Sequence, residues 1–195
     1  MKYVSYICAV LALLGVSHAS AQTSASSERD AVNIEQLIAG TAKKTGKKFL
    51  VDPRVRAQVM LVGLDPNNLD YPTLLSVLQI HGFAAFDAGK YIAVVPDASA
   101  RQQPIPLMTG NASYADAEYV SRVISVKSVP AAFLVPVLRP LLPQQAHMVA
   151  MPCTNTLLLV DTFANVKRLE KIVNALDIGE PYQPEKCGAS QSKSD

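Results

Sequence analysis

The chain has 195 residues, of which 49% are hydrophobic and 17% charged, with a formal net charge of +2. So balanced a charge argues against a nucleic-acid or anionic-membrane partner. The length accommodates one medium domain or two small ones.

Residues 1–21 read as a cleaved Sec-type signal peptide. Lys2 is a positive start, Ile7 to Val16 is an apolar run too short to span a bilayer, and Ala19-Ser20-Ala21 is an A-x-A cleavage site before Gln22. The chain is expected to be exported. Removing Lys2 leaves 17 basic residues against 16 acidic ones. No later apolar run approaches spanning length, and the strand-like runs are too short for a transmembrane barrel. Direct membrane insertion and a pore formed by this chain alone are therefore not expected. Cys153 and Cys187 remain after cleavage and fit no metal spacing. They are a candidate disulfide, and two unpaired thiols are the equal alternative, because spacing cannot show proximity.

Residues 22–29 are polar and Ser-rich, and are expected to be disordered. Over 30–96 the pattern predicts αββαββ. Ile34, Leu37, Ile38 and Ala42 recur at helical spacing, Gly46 closes the helix, and Lys43 and Lys44 occupy its last turn. The lysine group KKTGKK is read as this helix end rather than as a binding patch. KKFLVD and AQVMLVGL are strands. Asp70 caps a second helix with Pro72 just inside it, and Leu74, Leu75, Val77 and Leu78 form its buried stripe. FAAFDAGKYIAVVP is a hairpin about Asp87-Ala88-Gly89.

Residues 97–117, rich in Pro, Ser, Ala, Gln and Gly, read as a linker. Over 118–178 the order is βαββα. YVSRVISVK is a strand, and Pro130 opens a helix that Pro136 should kink or shorten. AHMVAMP and NTLLLVD are strands. Asp161 or Thr162 caps a last helix with Val166, Leu169, Ile172, Val173 and Leu176 on its apolar face. Leu158 and Leu169 are both expected between that sheet and helix. Residues 179–195 read as a flexible tail. The fold class is α+β, in two small domains.

Little chemistry is on offer. His81 and His147 have no partner at metal-ligand spacing, and no nucleophile, paired-carboxylate or cofactor motif is present. An enzyme, a metal and a cofactor are not expected. A βαββα order would suit a KH domain. Nucleic-acid binding by that fold needs a G-x-x-G loop, and there is no glycine between Gly110 and Gly179.

TGKKFLVDPRV, LLSVLQIHGFAA and LRPLLPQQAHMVAMPCTNTLLLVDTFANVKRLEKIVNALD resemble the N-terminal periplasmic domains of type II secretion secretins, the general secretion pathway protein D family. The resemblance runs from about Ala31 to Ile178. It implies a first ring-type domain over 30–96, related to the signalling domain of TonB-dependent receptors, and a KH-like ring domain over 118–178. In that family the domains stack into periplasmic rings around cargo, and the first contacts the inner-membrane platform. Two departures bear on function. The family's first strand lies where this chain has polar SASSERDAVN, so that strand is expected to be weak or missing. Phe133 falls where the family carries charge; of an exposed site and a core residue, the core is preferred.

The implied function is a non-enzymatic periplasmic protein-binding module, an accessory or regulator of type II secretion without its own pore. Expected partners are the secretin or inner-membrane platform proteins, with self-association into rings as a further mode and association with an outer-membrane secretin complex. The alternative is a periplasmic signalling or adaptor domain outside secretion. Candidate partner-binding residues are Val59, Met60, Leu61 and Val62, on a sheet edge that a missing first strand would leave open, and Phe133. The competing reading of Val59–Val62 is a central strand serving the core.

Overall fold

The computed structural model describes residues 31–184. The signal peptide expected at 1–21, the stretch 22–29 and the tail from 185 onward, with Cys187, lie outside the described residues.

The chain begins with a strand, β1 (Ala31–Asn33), which runs straight into helix α1 (Ile34–Thr45). The first strand, expected to be weak or missing, is present but only three residues long. The strand uses the apolar end of SASSERDAVN, and three residues suffice to pair with β3 (Gln58–Met60) in an antiparallel ribbon matching Val32 to Val59. Helix α1 ends as its sequence dictates. Gly46 takes φ 71° and its N–H donates to Ala42 O, a left-handed cap that residues with a Cβ adopt at a cost. Strand β2 (Phe49–Val51) follows. Strand β3 is shorter than the eight residues expected for AQVMLVGL. Only Gln58–Met60 pair, and Gly63 at φ 72° turns the chain away.

Helix α2 (Tyr71–Ile80) is capped by the Asp70 carboxylate, which accepts the Thr73 N–H at 2.8 Å. Leu74, Leu75, Val77 and Leu78 are buried as their spacing predicts. Strands β4 (Phe83–Asp87) and β5 (Ile92–Pro96) form the hairpin, and β2 adds to β5 in parallel, giving the order β2-β5-β4. The core between these sheets and helices is built on Ile34, Leu37, Val59, Leu74, Leu78 and Val94.

The stretch 97–117, expected to be a linker, is folded against its neighbours. Asp97–Gln102 form a 3-10 helix. Ala100, Met108 and Ala117 are buried, and Ala100 packs with Ala84 and Tyr119. The N–H of Ser121 donates to Pro106 O and that of Met108 to Ser121 O. Small and proline residues suit a chain that must lie flat on a sheet edge, so its composition resembles that of a free linker.

Strand β6 (Tyr119–Ser125), helix α3 (Ala131–Leu138), β7 (His147–Met151), β8 (Thr156–Thr162) and helix α4 (Phe163–Leu176) complete the fold. The sheet is antiparallel, in the order β6-β8-β7. Helix α3 contains Pro136 and stops after eight residues, passing into a 3-10 turn at Arg139–Leu141. The core is built on Val120, Leu134, Leu138, Leu157, Leu159 and Leu169. Leu158 is only half-buried, which corrects the expected register by one residue. Side chains alternate along a strand, so Leu157 and Leu159 face the helices and Leu158 faces the other way, between Val123 and Val149. Arg122 pins β6 to α4 through Glu170 at 2.7 Å and also donates to Met108 O. The start of the tail is tied down, with the Tyr182 N–H donating to Lys127 O.

Candidate partner-binding surface

The ribbon of β1 and β3 and the bend after it hold four of the residues that sequence reasoning singled out. Val59 is buried and anchors the ribbon on the core. Met60 is 60% exposed and Val62 84%, while Leu61 is partly buried against the core. The four candidates therefore divide: Val59 and Leu61 serve packing, and Met60 and Val62 face outward. Strand β1 covers one edge of β3, so the expectation of a wholly unpaired β3 is corrected. Among the described residues β3 has no second strand, and its other edge stays open.

Local chemistry holds the ribbon in place. The Ile34 N–H donates to Ala57 O, and the Gln58 Nε2 donates to Asn33 Oδ1 at 2.6 Å. A depression of about 670 Å³ lies beside it, lined by Asn33, Glu35, Gln36, Arg56, Ala57 and Gln58. Apolar side chains beside open backbone groups are suited to a protein partner, since a strand or loop can use both.

Phe133 belongs to a different patch. It is 70% exposed on α3, which corrects the preference for a core position. The buried face of that short helix is already filled by Ala131, Leu134 and Leu138. Residue 133 therefore falls outside it, in line with exposed Val137 and Leu141 at four-residue spacing. Cys153 is disulfide-bonded.

The interior holds one residue that sequence reasoning passed over. Asn155, at φ 48°, is buried in the turn between β7 and β8. Its Oδ1 accepts the Ala131 N–H at 2.7 Å, and its Nδ2 donates to Val126 O and Val129 O. It thereby caps α3 from a distant part of the chain. Pro130 at the cap position has no side-chain acceptor. That missing cap was the available signal. Asp177 plays a similar part at the surface, accepting N–H groups from Lys127, Ser128 and Val129. Burial works to raise its pKa, but the Ser128, Lys127 and Val129 N–H groups outweigh this and hold it below the ordinary carboxylate value.

Among the described residues Asp161 is the one buried carboxylate. Burial pushes its pKa up, against the opposing pull of the Thr162 N–H, the nearby Asn165 side chain, and Arg168 and Arg139. Its Oδ1 accepts the Thr162 N–H, and its Oδ2 has no hydrogen-bond partner. It is sealed from solvent. Among the described residues no group of His, Cys, Asp and Glu could hold a metal ion. No helix of the described residues is long and apolar enough to cross a membrane.

Two family models match the chain. The GspD-like N0 domain matches residues 29–94, and the bacterial type II/III secretion system short domain matches residues 121–181. The secretin XcpQ of Pseudomonas aeruginosa is 35% identical over 147 residues, covering 74% of this chain and 22% of that protein. The secretin GspD of Vibrio cholerae is 29% identical over 150 residues, with 74% and 22% covered. The chain thus spans about a fifth of the length of these relatives. A solved structure of the Klebsiella pneumoniae type II secretion system outer membrane complex, with PulD, PulS and the PulC HR domain, superposes with a TM-score of 0.66. It is 30% identical and covers 76% of this chain and 26% of that one. The short ribbon, the antiparallel sheet with its two helices and these matches converge on one family: the chain carries the N-terminal domains of the type II secretion secretins, the general secretion pathway protein D family.

Proposed function

We propose that this chain is a non-enzymatic periplasmic module of type II secretion that works by binding other proteins of the system, in an accessory or regulatory capacity. In this reading 30–96 is a first-ring domain and 118–178 a KH-like ring domain. The partners are the secretin or inner-membrane platform proteins, and self-association into rings is compatible with both. The observation that carries the proposal is exposed Met60 on the β1–β3 ribbon with exposed Val62 in the bend that follows it, inside the segment that matches the GspD-like N0 domain. The Klebsiella complex, in which PulD is found with PulS and the PulC HR domain, supports a partner of that kind. Matches to secretion proteins at both domains favour this reading over a signalling adaptor.

The test uses the full chain with the purified secretin and the purified periplasmic part of the inner-membrane platform from the same cell. Binding is followed by calorimetry for the wild type and for the double variant Met60→Asp with Val62→Asp. The reading requires binding by the wild type and a loss of about tenfold or more in the variant, since charges placed in an apolar contact stay unpaired. Absence of binding to either protein would remove the accessory role, and undiminished binding by the variant would move the surface elsewhere.

A further inference from the structure

Strand β2 forms the outer edge of its sheet, and its backbone is only half used. The Ile92 N–H donates to Lys48 O at 2.7 Å, and the Asp52 N–H donates to Val94 O at 2.9 Å. These two bonds bracket Leu50 as the residue whose backbone turns toward β5. Alternate residues of a strand turn their N–H and C=O groups to opposite sides. Phe49 and Val51 therefore present theirs outward, where no described strand pairs with them. The side chain of Leu50 is 57% exposed on this edge.

Positive charge gathers at the start of the strand. Lys47, Lys48 and Lys90 are exposed and line a depression of about 220 Å³ together with Gly46, Asp87 and Tyr91. Lys47 is held over the Tyr71 ring at 4.9 Å. Lys48 and Lys90 form no ion pair among the described residues. The nearby carboxylates are engaged: Asp87 accepts the Gly89 N–H at 2.7 Å, and Asp52 is paired with Arg54 at 2.9 Å. Helix capping accounts for Lys43 and Lys44 but not for Lys48 or Lys90, which lie outside α1.

We propose that β2 is a docking edge for an extended acidic segment of a partner protein. The segment pairs its backbone with Phe49 and Val51, rests an apolar side chain on Leu50, and places carboxylates against Lys48 and Lys90. Main-chain pairing supplies affinity in strand addition, and flanking side chains supply selectivity. Edge lysines also oppose pairing with a second copy of the same edge, because like charges meet there. The charge complement therefore names an acidic occupant. This site is on a different sheet from the β1–β3 ribbon, and the inference stands without the secretion reading.

The test measures binding of fluorescein-labelled peptides to the full chain by anisotropy. The probes are a short peptide alternating Glu and Val, the same peptide N-methylated along one backbone edge, and a Lys/Val counterpart. The Glu/Val peptide should bind. N-methylation should weaken it about tenfold or more, because it removes backbone donors and adds bulk at the edge. The double variant Lys48→Glu with Lys90→Glu should weaken it by a similar factor, and the Lys/Val peptide should not bind. Equal binding of the N-methylated peptide overturns the proposal, and that arm uses the wild-type chain, so it does not depend on how any variant folds. Failure of the Glu/Val peptide to bind, or stronger binding of a single-stranded oligothymidylate, overturns it as well.

Discussion

The two halves of the molecule solve the same packing problem differently. In the second half, two seven-residue strands pair along their full length, and both helices cover one face of a single sheet. In the first half the strands are divided between two small sheets, and three of them are only three residues long. Both halves keep outer strands: β2 and β3 in the first, and β7 in the second, whose β6 side is bridged by Leu107. The difference lies in how much strand is paired: in the first half β2 and β3 are three residues long and carry exposed Leu50 and Met60.

The comparison breaks most visibly in the core. Leu169→Ala, at a fully buried position under the continuous sheet, should cost about 2–5 kcal/mol in urea unfolding. A variant with wild-type stability would show that α4 does not seal that sheet. Asn155→Ala should follow, at roughly 1–3 kcal/mol, because it strands the Ala131 N–H and two carbonyls. Asn155→Gly should lose the same bonds but suit φ 48° better, so the difference between the two isolates the backbone strain.

Two carboxylates of the second half sharpen the contrast through pH, with smaller effects. Asp177 has its folded pKa held below the ordinary value, so its contribution is present at neutral pH and is lost as pH falls through that lowered value. Asp161 has its folded pKa raised, so the folded form binds a proton more readily than the unfolded chain. Its ionised form is a cost at neutral pH that is relieved as pH falls through the raised value toward the unfolded one. Unfolding of Asp177→Asn and Asp161→Asn between neutral and acid pH should show differences from wild type of opposite slope. Parallel slopes would mean that one carboxylate is misassigned.

The smallest effect should come from the first half's surface. Met60→Ser with Val62→Ser should change stability by less than about 0.5 kcal/mol, since neither side chain is buried. A large loss of melting temperature would show that the ribbon is part of the core.

Much of this was legible in the residues. Leu74, Leu75, Val77 and Leu78, the Asp70 cap and the Gly46 stop are local in origin, so a window of a few residues carries them. The family was also legible, from three quoted segments whose order and spacing agree with both family matches. The candidate surface was half legible. AQVMLVGL marked a strand that is present over Gln58–Met60, yet could not tell buried Val59 from exposed Val62.

The sequence by itself determined most of the local elements from α1 onward, because helical and strand periodicities and caps depend on near neighbours. Tertiary structure alone decided three things. It paired Ala31–Asn33 with Gln58–Met60, laid the stretch 97–117 against β4 and β6, and turned Leu158 away from the helices and Phe133 into solvent. Each depends on a partner far along the chain. Pairing register and the face a short helix buries are set by the surfaces that meet there, and no local pattern encodes them.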